Sequence, residues 1–112
     1  MTFAAFDVVV VPFPYSDALA EKRRPAVVIS DPALEDERGL VWLAMITSAP
    51  GPLIRGDAPV TDLIAAGLTK PCRVRGAKVA TLDADRVLRR LGTLAPTDVE
   101  IVGAALKDCA AF

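Results

Sequence analysis

The chain has 112 residues, enough for one domain with a core of its own and too few for two. A net charge of −1 gives no chain-wide basic footprint of the kind that marks many nucleic-acid binders, and the absence of histidine excludes a Cys/His zinc site. Hydrophobic residues make up 53 % and mean hydropathy is +0.40, more than a small barrel hides, so an apolar face is expected to remain for a partner, a second copy first among them.

Cys72 and Cys109 lie far apart with no CxxC pair, which reads as packed thiols in a reducing compartment rather than a disulfide. The N-terminus has neither a basic segment nor a long apolar one, and no run approaches the roughly 20 apolar residues of a membrane span. A cytoplasmic protein with no membrane partner is expected. Charge is unevenly placed: 22–24, 70–78 and 86–90 are basic, 31–37 and 98–100 acidic. A local basic groove and ordinary solvated charge clusters both fit that pattern.

In chain order, Asp7–Phe13 carries the run Val8–Val11 and predicts a buried strand ended by Pro12 and Pro14. A polar loop from Pro14 to Lys22 ends in the cluster Lys22, Arg23, Arg24. Pro25 then biases Arg24 toward extended backbone, and Ala26–Ser30 is the second strand. Asp31–Gly39 is acidic and reads as a solvent loop. Leu40–Thr47 is the third strand, with the single tryptophan, Trp42. After the breaker cluster Ala49–Pro52, Ala58–Leu63 predicts a weak fourth strand and Ala65–Pro71 a turn or one helical turn. Cys72–Leu82 predicts a fifth strand kinked near Gly76. Asp83 as cap and Gly92 as stop predict a short helix over Ala84–Leu91. Pro96 at the first helical position and Asp98 in the first turn open a terminal helix whose inner face is Val99, Val102, Leu106 and Cys109. Ala95 would be its N-cap and has no side-chain oxygen.

Five short strands followed by helices, without a βαβ rhythm, give a mainly β single domain over residues 1–112: a small antiparallel barrel with a C-terminal helix. There is no Gly-rich phosphate loop, no GxSxG elbow and no acid cluster at metal spacing, so no metal or other cofactor is expected. Without imidazole, acid–base work would fall to carboxylates, Lys, Tyr, Arg or a hydroxyl. If the second and third strands pair antiparallel, Arg24 and Thr47 meet at one mouth of the barrel. A guanidinium fork and a hydroxyl there could hold the non-bridging oxygens of a phosphodiester. Thr47 and Ser48 equally suit strand-end hydroxyls bonding local backbone, and the basic cluster equally suits a solvated turn.

Asp7–Pro14, Lys22–Ser30 and Ile46-Thr47-Ser48 resemble the successive motifs of the MazF/PemK-type toxins, and Gly67–Pro71, Val74-Arg75, Thr81-Leu82-Asp83 and Leu91-Gly92 continue the likeness. The resemblance implies an SH3-like barrel, a homodimer, a cognate antitoxin with an acidic tail, and a metal-independent endoribonuclease. Such an enzyme cuts single-stranded RNA by attack of the ribose 2′-hydroxyl, leaving a 2′,3′-cyclic phosphate and a 5′-hydroxyl. Carried over by motif, Arg24 and Thr47 are the catalytic pair. With a pKa above roughly 12, Arg24 would stabilise the pentavalent phosphate rather than act as acid. Some members place an Arg–Asp pair on the later strand; Arg75 matches the arginine, but Ala77 stands where the aspartate would be. Glu21, or Asp17, is the candidate base in its place. Lys22, Arg23, Ser48, Arg75, Lys78 and Tyr15 are the expected RNA contacts, and Phe13 reads as core more readily than as a stacking platform. Phe6 stands where many members have glycine. Loops Asp17–Lys22 and Ala49–Asp57 would set the cleaved sequence. The alternative on the same fold is a non-enzymatic toxin of the CcdB type, a gyrase poison acting through its terminal helix, which has no need of Arg24-Pro25 and Thr47. A decayed paralogue is a third reading, suggested by Ala77.

Overall fold

Four consecutive valines cannot alternate apolar with polar, so a strand built from Val8–Val11 must have both faces covered. The computed structural model describes residues 2–12 and 22–112. Its strands are β1 (Asp7–Pro12), β2 (Arg23–Val28), β3 (Leu40–Thr47), β4 (Asp57–Pro59), β5 (Arg73–Asp83) and β6 (Arg89–Thr93). They form one antiparallel sheet in the order β4-β5-β3-β2-β1-β6. β1 is interior to it, and Val8, Val9 and Val11 are fully buried. One face of the sheet carries Val8, Val27, Ala44, Ile46 and Val74 against Val102 and Ala105 of the terminal helix α3 (Pro96–Cys109). The other carries Val9, Val11, Ala26, Val28, Val41, Leu43 and Leu82, with Phe3 laid over them.

The sheet curls until its two ends meet. The meeting is made by α2 (Leu63–Ala66), the short helix after β4, which packs on β6. The contact is backbone to backbone: a Cβ on Gly92 would lie 2.4 Å from the Ala65 carbonyl oxygen, and one on Gly67 would lie 2.2 Å from that of Leu91. No side chain fits at either position, so the two glycines set the closure of the barrel-like fold.

Most expected elements are present, with four differences. β6 replaces the helix read over Ala84–Leu91, of which only a single 3-10 turn, Ala84–Arg86, remains; the open edge of β1 takes Arg89–Thr93 as a sixth strand, a tertiary demand that outweighs local helical signals. The acidic stretch 31–39 is not a loop but contains α1 (Pro32–Arg38). Asp31 caps it by accepting from the Ala33 amide at 2.8 Å, and Gly39 ends it in the left-handed region at φ 66°. β4 is only three residues long, because Asp62 accepts from the Ala65 amide and starts α2 where a strand was expected to continue. β2 begins three residues earlier than expected, so Arg23 and Arg24 lie on a strand rather than at the end of a loop.

The kink in β5 is present: Ala44 pairs with Val79 and Met45 with Arg75, leaving 76–78 without opposite numbers on β3. Phe6 has φ 68°, the left-handed conformation that glycine adopts without steric cost. α3 starts at Pro96 with no side-chain cap on Ala95. Cys109, expected on its inner face, is the last residue of the helix and is exposed, with its Sγ over Gly56. Among the described residues no helix is long and apolar enough to cross a membrane.

Candidate functional site

The register of β2 and β3 brings the two candidate catalytic residues together. Ala26 stands opposite Met45, and continuing two residues along each strand sets Arg24 opposite Thr47. On their outer sides Arg24 pairs with Val11 of β1 and Thr47 with Arg73 of β5. Both are half-buried and both line one cleft of about 420 Å³. Its apolar walls are Val10, Pro25, Ile46, Leu68, Cys72 and Leu91, and its polar lining is Arg23, Arg24, Thr47, Ser48, Thr69, Lys70 and Arg89. Among the described residues, four of these are cations and none is a carboxylate, a local positive charge that the near-zero net charge of the chain conceals.

The Thr47 hydroxyl oxygen accepts from the Ala49 amide at 3.1 Å. That is the local bond expected of a strand-end hydroxyl, and it also orients the group, leaving the O–H proton to donate into the cleft. Cys72 is pushed up by burial, only partly opposed by nearby Lys70, and stays a neutral thiol.

Of the remaining candidates, Arg23 and Ser48 line the cleft. Lys22 is exposed just before β2 and does not. Arg75 and Lys78 lie on β5 outside the lining: Lys78 is exposed in the bulge, and Arg75 is held by Asp57, its Nε 3.9 Å from Oδ1. Glu21 and Tyr15, like Phe13 and Asp17, fall outside the described residues. Lys70 and Arg89 line the cleft as well, beyond the expected site residues. Their clusters were visible in the sequence, but reading 84–91 as a helix removed any reason to place Arg89 beside β1.

Arg75 faces a carboxylate on the neighbouring strand, away from the cleft. Asp57 of β4 stands opposite Arg75 in the ladder, and its side chain is only 1 % exposed. It also takes Nη1 of Arg73 at 3.2 Å and the Ile54 amide at 3.1 Å. Arg73 in turn donates to the carbonyls of Pro52 (2.9 Å) and Gly51 (2.7 Å), and Arg55 to that of Asp108 (3.0 Å). The loop that leaves Thr47 is therefore clamped along its length. At the far end of β1, Asp7 accepts from Thr93 and pairs with Arg90 at 3.1 Å, while Arg90 also donates to Thr93. Asp98, fully buried at the start of α3, accepts from Thr61 (amide and hydroxyl) and from the Asp62 amide. Burial alone would raise its pKa; those donors outweigh it and hold the carboxyl below its ordinary value.

A comparison with curated protein sequences finds no match. Solved structures are similar over nearly the whole chain. An endoribonuclease in complex with its cognate antitoxin, from a mycobacterial species, superposes with a TM-score of 0.77 at 16 % identity, covering 96 % of this chain and 93 % of that one. Toxin MazF-mt6 of Mycobacterium tuberculosis gives 0.75 at 18 %, covering 92 % and 94 %, and a MazF of Deinococcus radiodurans gives 0.74 at 21 %, covering 95 % and 94 %. At these identities the likeness establishes the fold. The sequence profile of the PemK-like, MazF-like toxins of type II toxin–antitoxin systems matches residues 4–109. With that match spanning nearly the whole of its length, the chain belongs to this toxin family.

Proposed function

We propose that the protein is the toxin of a type II pair and cleaves single-stranded RNA by metal-independent transesterification. The observation that carries this is the convergence of Arg24 and Thr47 on one cleft that, among the described residues, is lined by four cations and no carboxylate. A phosphodiester seated there would have a non-bridging oxygen against the Arg24 guanidinium and another against the Thr47 O–H. The 2′-oxygen of the ribose attacks phosphorus, the O2′–P bond forms, and the P–O5′ bond breaks. The 2′ proton leaves to a base and a proton returns to O5′, giving a 2′,3′-cyclic phosphate and a 5′-hydroxyl. Arg24 offsets the extra negative charge of the pentavalent state, and Thr47 adds a donor already oriented by Ala49. Glu21 is the proposed base, with Asp17 the alternative. Among the described residues no carboxylate lines the cleft, which supports a base from the segment between β1 and β2.

The proposal extends to partners. Trp42, Val79 and Phe112 are exposed and, with Ile29 and Leu106, form an apolar surface suited to a second copy of the chain. A cognate antitoxin fits by analogy with the mycobacterial endoribonuclease complex, and an RNA substrate sets the site of action in the cytoplasm. The test is incubation of purified protein with mixed-sequence single-stranded RNA in EDTA. Fragments with cyclic-phosphate ends are expected, and Arg24→Ala should slow their release by roughly a hundred- to a thousandfold. RNA left intact by stoichiometric protein overturns the proposal, as does an Arg24→Ala variant that cleaves normally. An Arg24→Ala variant that remains toxic to cells favours the gyrase-poison alternative.

A further inference from the structure

A scissile phosphodiester carries one negative charge, and Arg24 with Thr47 is enough to hold it. The cleft nevertheless presents three more cations, Arg23, Lys70 and Arg89, within about 420 Å³. Three arginines outside the cleft have a carboxylate beside them: Arg73 and Arg75 share Asp57, and Arg90, next to Arg89, pairs with Asp7. Among the described residues neither Lys70 nor Arg89 has such a partner. Both come from elements that the catalytic pair does not use. Arg89 is on β6 and pairs with Val10, which pairs on its other side with Pro25. Two strand spacings therefore separate the β6 and β2 backbones, roughly 10 Å. Lys70 enters from the segment joining α2 to β5. Three cations beyond Arg24 are more than one singly charged phosphate needs, and Arg89 and Lys70 reach the cleft from elements other than that of Arg24.

We infer that Lys70 and Arg89 form a second phosphate subsite, which grips a backbone phosphate flanking the scissile one and fixes the register of the single strand in the cleft. The inference rests on the nuclease reading, because a continuous strand across Arg24 and Arg89 is what would put two phosphates there. It assigns the two residues to binding and positioning, not to the chemical step.

The test separates binding from cleavage by using a single-stranded oligonucleotide 2′-O-methylated at every ribose, which has no nucleophile. Its affinity is measured by fluorescence anisotropy against salt. Lys70→Ala and Arg89→Ala should each flatten the log–log salt dependence by about 0.7 and weaken binding several-fold. Arg38→Ala, an arginine of α1 outside the cleft, should leave the slope unchanged. On cleavable RNA the same two variants should raise KM and leave kcat within about twofold, whereas Arg24→Ala lowers kcat. For a dinucleotide with a single phosphate, the two variants should match the unmodified protein. Slopes unchanged in Lys70→Ala and Arg89→Ala but reduced in Arg24→Ala overturn the subsite and leave the nuclease reading intact. Slopes unchanged in all three variants, with no cleavage, overturn both. Loss of binding to an acidic peptide with RNA binding unaltered also overturns the subsite, assigning these cations to a protein partner.

Discussion

Asp57 stands opposite Arg75 in the β4–β5 ladder with its carboxylate buried, and it pairs in the same place with Arg73. One acid thus pairs with two arginines of β5 and receives the Ile54 amide as well. Removing it would leave two partly buried guanidinium groups uncompensated. Asp57→Ala should cost about 2–4 kcal/mol, the upper end of the usual range being discounted because both arginines keep some solvent contact. Urea unfolding measures the loss. Hydrogen exchange at Ile54 should rise more than the global change accounts for, because the clamp on the loop is released.

Thr47 is expected to act through its hydroxyl alone. Thr47→Ser keeps both the acceptor for Ala49 and the donor into the cleft, and kcat should stay within about threefold. Thr47→Val preserves shape and strand propensity but removes both. A fall in kcat of roughly a hundredfold is expected, with little change in unfolding midpoint. Equal activity of the valine and serine variants would show that the hydroxyl takes no part.

The acid limb of stability should carry the signature of Asp98. Its carboxyl is held below the ordinary value in the folded protein by the Thr61 and Asp62 donors, which overcome burial. Its contribution is therefore present above the unfolded-state pKa, near 4, and is lost as pH falls through the lower folded-state value. Asp98→Asn should flatten the fall in stability below about pH 4, and Asp98→Ala should cost about 2–4 kcal/mol at neutral pH by stranding buried donors. Denaturant titrations at a series of pH values check both.

The two closure glycines differ from the one that ends α1. Gly92→Ala must push against the backbone of α2, and Gly67→Ala against that of Leu91 in a left-handed conformation, so each should cost more than about 2 kcal/mol. Gly39→Ala meets open space and carries only the left-handed penalty, about 1–2 kcal/mol. Thermal unfolding of the three variants ranks them.

Elements whose burial dictates their pattern could be read directly. The valine run of β1, the apolar stretch of β3 and the 3.6-residue spacing of α3 each speak for themselves. The Arg24–Thr47 pairing also followed, because antiparallel pairing of two recognisable strands leaves little choice of register. What misled were segments whose state is decided at a distance. Asp83, Gly92 and the apolar residues between them satisfy helix rules, yet β1 needed a partner for its edge, and that misreading is what hid Arg89 from the cleft. α1 buries none of its residues and so has no amphipathic signal, although Asp31-Pro32 and Gly39 mark both of its ends. The role of Asp57 had no local signal, since only the register of β4 on β5 shows which arginines it faces. Phe6 was visible as a departure from the family's glycine, and its positive φ gives the reason glycine suits that position.

The clamp made by Arg73 separates two kinds of evolutionary freedom. It grips the backbone carbonyls of Gly51 and Pro52, which every residue type possesses, while Leu53 and Ile54 turn more than half their surface to solvent. Those two side chains could be rewritten without disturbing the anchor or the threonine upstream of it. A lineage could thus acquire new sequence preferences on that rim while inheriting its chemistry unaltered.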